Sequence, residues 1–161
     1  MDAKKIFLIL IVSTLLIGSV CAVKSASDFA VDKSYENVHN GTYYSLSVND
    51  KQDAGITIYK NVNDDAYEAE GDDAFEGLIH DDGQEYLAVD DDMQLDKNAD
   101  NTANFTDFDH AEHGIVELVD CDGEQFIVVF WAKDTSNVTN SDLTSLLNNF
   151  NKDNNVDAVA F

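Results

Sequence analysis

A cluster of oxygen-bearing side chains lies between residues 96 and 114, in the stretch DKNADNTANFTDFDHAEHG. Within it, Asp96, Asn98 and Asp100 stand at alternate positions. Calcium takes carboxylate and amide oxygens as ligands, and a chain that wraps round the ion turns every second side chain inward. The spacing predicts a calcium site, and an acidic bend that faces water is the alternative.

A second group of possible metal ligands follows at once in the stretch DHAEH. His110 and His113, with Asp109 and Glu112 beside them, carry the imidazole and carboxylate groups that zinc prefers. Their spacing matches none of the zinc-hydrolase signatures, which place two histidines four residues apart around a glutamate. A metal-dependent hydrolase that uses these residues is one hypothesis, and incidental histidines are the other.

The stretch 96–107 resembles the twelve-residue calcium loop of the EF-hand family. The resemblance implies side-chain ligands, a carbonyl ligand, a ligand acting through water and a closing carboxylate. Asp96, Asn98 and Asp100 would be the side-chain ligands, and Thr102 would offer its carbonyl. Asn104 would act through water, and Asp107 would be the closing carboxylate. Asn101 stands where the family has glycine, and Asp107 replaces its bidentate glutamate. No helical pattern flanks the stretch, so the resemblance implies an isolated calcium loop of the kind found in extracellular modules.

Composition narrows the classes of function. The chain of 161 residues has 32 acidic residues against nine lysines and no arginine, and its formal net charge is −23. Nucleic-acid binding needs a basic surface that neutralises phosphate, so that class is excluded. No Gly-x-Ser-x-Gly elbow, phosphate-cradling glycine loop or dinucleotide fingerprint is present, and an enzyme is therefore unsupported.

The N-terminus has the pattern of an export signal. Lys4 and Lys5 precede an uncharged, mostly apolar run over 6–22, and small residues follow that run. This pattern predicts a secretory signal peptide, with a retained membrane anchor as the alternative. Residues 23–36 are interpreted as a polar tether and 37–161 as a single acidic domain. The protein is predicted to be secreted or displayed on the cell surface, with membrane contact only through its N-terminal segment.

The cysteine count depends on where that signal ends. Cleavage after Ala22 removes Cys21 and leaves Cys121 as the one thiol. Asp120 and Asp122 flank Cys121 and would raise its pKa, so it is not expected to be a nucleophile. A structural role is predicted, with pairing between two molecules as the alternative.

Hydrophobic periodicity predicts the elements that position these residues. Alternating residues in 41–48 and 56–62 predict one hairpin, and apolar runs in 74–89 and 114–132 predict two more, which reverse at Asp82-Gly83 and Asp122-Gly123. The segment 126–131 is apolar throughout and is predicted to be a central strand covered on both faces. No clean helix or strand period is evident between Val89 and Gly114, which predicts a long loop.

The C-terminal region predicts one helix and a last strand. Leu143, Leu146, Leu147 and Phe150 recur at helical spacing, with Asn140 or Ser141 as the cap, and 155–161 returns as a short strand. The fold class is therefore α+β, an antiparallel sheet built from successive hairpins with an amphipathic helix on one face. The second sheet face is expected to be covered by residues 61–76, by a partner subunit or by the loop 90–113.

The whole chain resembles small exported proteins of methanogenic archaea, which are associated with no established activity. The signal, the absence of arginine and proline, and the ending FIVVFWAKD to DLTSLLNNFNKDNNV carry this resemblance. It implies no catalytic residue. The leading functional hypothesis is an exported, non-enzymatic binding domain with an unknown extracellular partner, stabilised by calcium. A metal-dependent hydrolase and an acidic envelope protein without a discrete ligand are the alternatives.

Overall fold

In the part of the chain that the structure describes, one antiparallel sheet of eight strands and one C-terminal α-helix form the fold, which confirms the predicted α+β class. The computed structural model describes residues 23, 25–60 and 93–160. The strands are β1 (Tyr35–Asn40), β2 (Tyr44–Asn49), β3 (Ala54–Lys60), β4 (Met93–Lys97), β5 (Thr102–Asp107), β6 (Glu112–Cys121), β7 (Glu124–Lys133) and β8 (Ala158–Val159). The helix is α1 (Asn140–Asn154), and a short 3₁₀ helix, Ala26–Asp28, precedes β1.

Two meanders meet in the middle of the sheet. The strand order is β1-β2-β3-β7-β6-β5-β4, and β8 pairs with β6 beside this path. The predicted hairpins over 41–62 and 114–132 are confirmed as β2–β3 and β6–β7. Asp122 and Gly123 both have positive φ, 58° and 85°, as a two-residue turn between twisted antiparallel strands requires. The hairpin predicted over 74–89 lies outside the described residues.

The apolar strand β7 is central, as predicted. It pairs with β3 on one side and with β6 on the other. Its apolar residues 126–132 alternate between the two sheet faces, and all of them except Trp131 are buried, because each face of this strand lies against other apolar side chains.

The helix α1 covers one face of the sheet, called here the helix face. Its residues Leu143, Leu146, Leu147 and Phe150 are buried against the strands. The cap is Thr139, rather than Asn140 or Ser141 as the sequence predicts. The Thr139 hydroxyl accepts from the Asp142 N–H, and the Asp142 carboxylate accepts from the Thr139 N–H, which is a capping box.

Part of the stretch interpreted as a polar tether belongs to the core. Ala26 and Phe29 are buried on the helix face, and Phe29 packs against the rings of Phe126 and Phe150. The polar residues between them conceal this role, because two apolar side chains in a polar stretch show no period.

The opposite sheet face, called here the second face, is also apolar and buried. Its core residues are Tyr59, Ala103, Phe105, Val116, Leu118, Ile127 and Val129. No helix among the described residues contributes to this cluster. The proposed cover 61–76 lies outside the described residues.

The prediction of a long loop between Val89 and Gly114 is wrong for the part that the structure describes, because this part forms β4 and β5. These strands are coplanar with the rest of the sheet, since β5 pairs with β6 along its whole length. They therefore extend the sheet and do not form a separate layer over its second face. Side chains alternate between the two faces along β5, but few of them are apolar. Ala103 and Phe105 point to the second face, while Thr102, Asn104 and Thr106 are polar, so the sequence shows only a weak strand pattern.

Candidate functional site

The predicted calcium ligands lie on the β4–β5 hairpin rather than in a loop that encloses a centre. Asp96 is near the end of β4 and is directly opposite Asn104 on β5. Asn98 and Asp100 lie in the turn, and Asn101 has a positive φ of 63°. Left-handed backbone suits asparagine at a tight reversal, so the residue that replaces the family's glycine serves a hairpin turn here.

Hydrogen bonds join four of the six candidates to one another. The Asn98 amide donates to the Thr102 hydroxyl at 2.9 Å, and that hydroxyl donates to the Asp100 carboxylate at 2.7 Å. The Asn104 amide donates to the Asn98 side-chain oxygen at 3.3 Å. The Thr102 carbonyl, expected to face an ion, accepts from the Asn98 N–H at 2.8 Å. The Thr102 hydroxyl also holds the pKa of Asp100 below its usual value.

Asp107, the expected closing ligand, is far from this network. It stands at the other end of β5, five residues beyond Thr102 or about 17 Å along an antiparallel strand. Its carboxylate accepts from the His110 N–H at 2.9 Å and contacts the His110 ring at 2.8 Å. The six residues therefore do not share one centre. The calcium binding that the sequence predicts is not tested by this arrangement, but Asp107 cannot close a shell at the turn.

The two histidines of the hydrolase hypothesis have separate partners. His110 lies in the β5–β6 turn with Asp107, and His113 lies on β6 with its ring nitrogen 3.0 Å from Asp134. The hydrogen bond and charge of Asp107 raise the pKa of His110. Within the described ranges, no three histidine, cysteine or acidic side chains form a group that could hold a metal ion.

The β5–β6 turn presents an aromatic side chain to water. Phe108 is 65% exposed and, with Val38 at 53%, is one of two large apolar side chains exposed in the described part of the chain. Asp107 bonds to the backbone of His110 across the turn, and Ala111 accepts from the Asp134 N–H at 2.7 Å. These contacts hold the turn against the loop that follows β7.

A glutamate that belongs to none of the sequence motifs lies inside the sheet. Glu117 is 0% exposed on β6, on the helix face, and its Oε2 accepts from the Asn151 amide of α1 at 2.9 Å. Burial raises the pKa of Glu117 to about 7. The signal that would find it is a lone acid within the apolar run IVELV, since a charge there must be buried with the strand.

Cys121 is disulfide-bonded and fully buried at the end of β6, so the expected lone thiol is wrong. The one other cysteine of the chain, Cys21, lies outside the described residues. The expectation of a lone thiol depends on cleavage after Ala22, and a bond within one chain would need Cys21 to be retained.

No family model matches the chain, and no curated protein or solved structure matches it either. The resemblance to exported archaeal proteins therefore stays an expectation. In the described part of the chain, no helix has the length and apolar character needed to cross a membrane.

Proposed function

We propose that this chain is an exported, non-enzymatic binding domain that recognises a positively charged partner outside the cell through the β5–β6 turn. The observation that carries the proposal is the exposed ring of Phe108 on this turn. Aromatic side chains are enriched among the residues that dominate binding energy, and one that is solvated in the free protein gains by burial in a complex.

The surroundings of Phe108 favour a cationic partner. Asp109 is exposed beside it, and the exposed carboxylate of Asp134 lies on the adjoining loop. The whole chain carries a formal charge of −23, which attracts cations at long range and repels acidic surfaces. A lysine or arginine of the partner could contact the Phe108 ring and a carboxylate together, since cations are attracted to aromatic faces.

Export is supported by the N-terminal pattern. Lys4 and Lys5 followed by the apolar run 6–22 are the basic and hydrophobic regions of a secretory signal. The proposal holds for a cleaved signal and for a retained anchor, since both place the domain outside the cell.

The experiment compares the exported full chain with two matched variants, Phe108→Ser and Val38→Ser. Both changes remove a large exposed apolar side chain, but Val38 lies on β1 at the far edge of the sheet. Each protein is titrated against an immobilised lysine-rich peptide and against a glutamate-rich peptide of equal length. We expect the wild type to bind the lysine-rich peptide, Phe108→Ser to weaken this binding about threefold to tenfold, and Val38→Ser to leave it unchanged.

Equal binding by the wild type and Phe108→Ser would contradict the proposed surface and leave charge alone as the cause. That result would favour the acidic envelope protein without a discrete ligand. External protease that fails to reach the domain on intact cells would contradict export. Stoichiometric transition metal in the purified protein, lost in a His110→Ala, His113→Ala double variant, would favour the hydrolase instead.

A further inference from the structure

Glu117 is a carboxylate that is fully buried among apolar residues of the sheet. It follows the apolar pattern of the helix face between Ile115 and Val119, with Val128 of β7 and Thr102 of β5 as its partners in register. A buried carboxylate needs hydrogen bonds or an opposite charge to offset its lost hydration.

The helix supplies only part of that compensation. The Asn151 amide nitrogen donates to Glu117 Oε2 at 2.9 Å. Glu117 Oε1 and Asn151 Oδ1 are both buried and have no hydrogen-bond partner among the residues that the structure describes. Both atoms accept hydrogen bonds when Glu117 is ionised, so neither can satisfy the other.

A single proton removes this mismatch. A protonated carboxyl group donates through one oxygen and accepts through the other, and a primary amide does the same. With Oε2 already accepting from the Asn151 amide, a proton on Oε1 would let Oε1 donate to Asn151 Oδ1, so that the pair could close a ring of two hydrogen bonds.

The charges that act on Glu117 favour the same state. Asp100 in the β4–β5 turn and Asp157 before β8 both repel a negative charge there. The remaining groups in register with it, Thr102 and Val128, are uncharged. Burial is the largest cause of its raised pKa, and the Asn151 hydrogen bond lowers that pKa by less.

We propose that Glu117 binds a proton in the folded protein and that the resulting acid–amide pair with Asn151 makes the docking of α1 on the sheet dependent on pH. Asn151 also takes part in the C-terminal cap of the helix, because its carbonyl accepts from the N–H groups of Asn155 and Val156. The chain then continues into β8, which pairs with Leu118 and Val119 next to Glu117. Loss of the proton therefore weakens the contact that holds the end of α1 and the start of β8 on the sheet.

The direction in which pH changes the stability follows from the pKa of Glu117 in the folded and in the unfolded chain. The pKa of Glu117 is about 7 in the folded chain, above its ordinary value of 4.5. The folded state therefore holds the proton more tightly, and the stabilisation is complete below the lower value and lost as pH rises through the higher one.

The test measures ionisation and stability in the full chain. The side-chain carboxyl carbon of Glu117 is followed by NMR as pH is raised, with Glu117→Gln to assign it and Glu36→Gln, an exposed glutamate on β1, as the control. Glutamine keeps the two-bond ring with Asn151 and cannot ionise. We expect the unfolding equilibrium constant of the wild type to rise about a hundredfold more than that of Glu117→Gln between about pH 5 and about pH 9. Glu36→Gln should follow the wild type.

Two results would overturn the proposal. One is a Glu117 carboxyl that titrates at or below its ordinary value, with the wild type and Glu117→Gln equally dependent on pH. The other is a titration that shifts to lower pH with added sodium or calcium at constant ionic strength, which would show that a cation rather than a proton occupies the two oxygens.

Discussion

Replacement of Gly114 by alanine tests the close packing of the strands that carry the β5–β6 turn. Gly114 is buried on β6, opposite Phe105 on β5 and Trp131 on β7. A Cβ atom at this position would lie 2.1 Å from the Phe130 carbonyl oxygen and 2.4 Å from the Phe105 ring. The nearest atom is thus backbone of the central strand, which cannot rotate away as a side chain can.

The expected loss in the free energy of unfolding of Gly114→Ala is large for the addition of one methyl group. Ordinary van der Waals contact begins near 3.4 Å, so β6 and β7 would have to separate by more than 1 Å or twist at this position. Overpacking of a tight core costs about 1–3 kcal/mol, and a backbone obstacle places this case at or above about 3 kcal/mol.

Urea unfolding of Gly114→Ala, followed by tryptophan fluorescence, measures this loss directly because Trp131 lies opposite the substituted residue. Adding Phe105→Leu tests the assignment of the cause, since a smaller side chain relieves the ring contact but leaves the carbonyl contact. We expect no rescue by the second change. A Gly114→Ala protein within about 1 kcal/mol of the wild type would refute the register of β6 against β7.

Two further predictions concern the helix and the acidic hairpin. Thr139→Ala removes the hydroxyl of the capping box and should lower the free energy of unfolding by about 1 kcal/mol, whereas Thr144→Ala in the exposed middle of α1 should change it by less than half of that. Equal losses in thermal melts of the two variants would contradict the cap. Millimolar calcium and magnesium should raise the melting temperature equally at matched ionic strength, because both screen an acidic surface and the turn oxygens already bond to one another. A rise specific to calcium, lost in Asp100→Asn, would support the calcium hypothesis.

The parts of the fold that the sequence predicts best are those with strong and consistent apolar periods. The segment 126–131 and the leucines of α1 leave little choice of element, and Asp122-Gly123 specifies the turn between β6 and β7. The strands β4 and β5 could not be predicted in this way, because many of their residues are small or polar and the apolar period is therefore weak. Their place in the sheet depends on pairing with β6, which no local pattern records.

The candidate site shows why spacing alone could not identify its chemistry. Alternate oxygens at Asp96, Asn98 and Asp100 suit a loop round calcium, but a strand and its turn produce the same period of two. Only the pairing of Asp96 with Asn104, and the distance of Asp107 from the turn, distinguish the two arrangements. Glu117 is a different case, since its unsatisfied oxygen appears only when α1 is placed over β6.

Amide hydrogen exchange of residues 93–107, measured by NMR with a chelator present, tests most directly whether the acidic segment is part of the sheet without a metal. We expect the hydrogen-bonded amides of β5 to be protected to the same order as those of β6, because the two strands pair over six residues. Protection that is absent in chelator and appears only when calcium is added would show instead that the segment needs the metal in order to join the sheet.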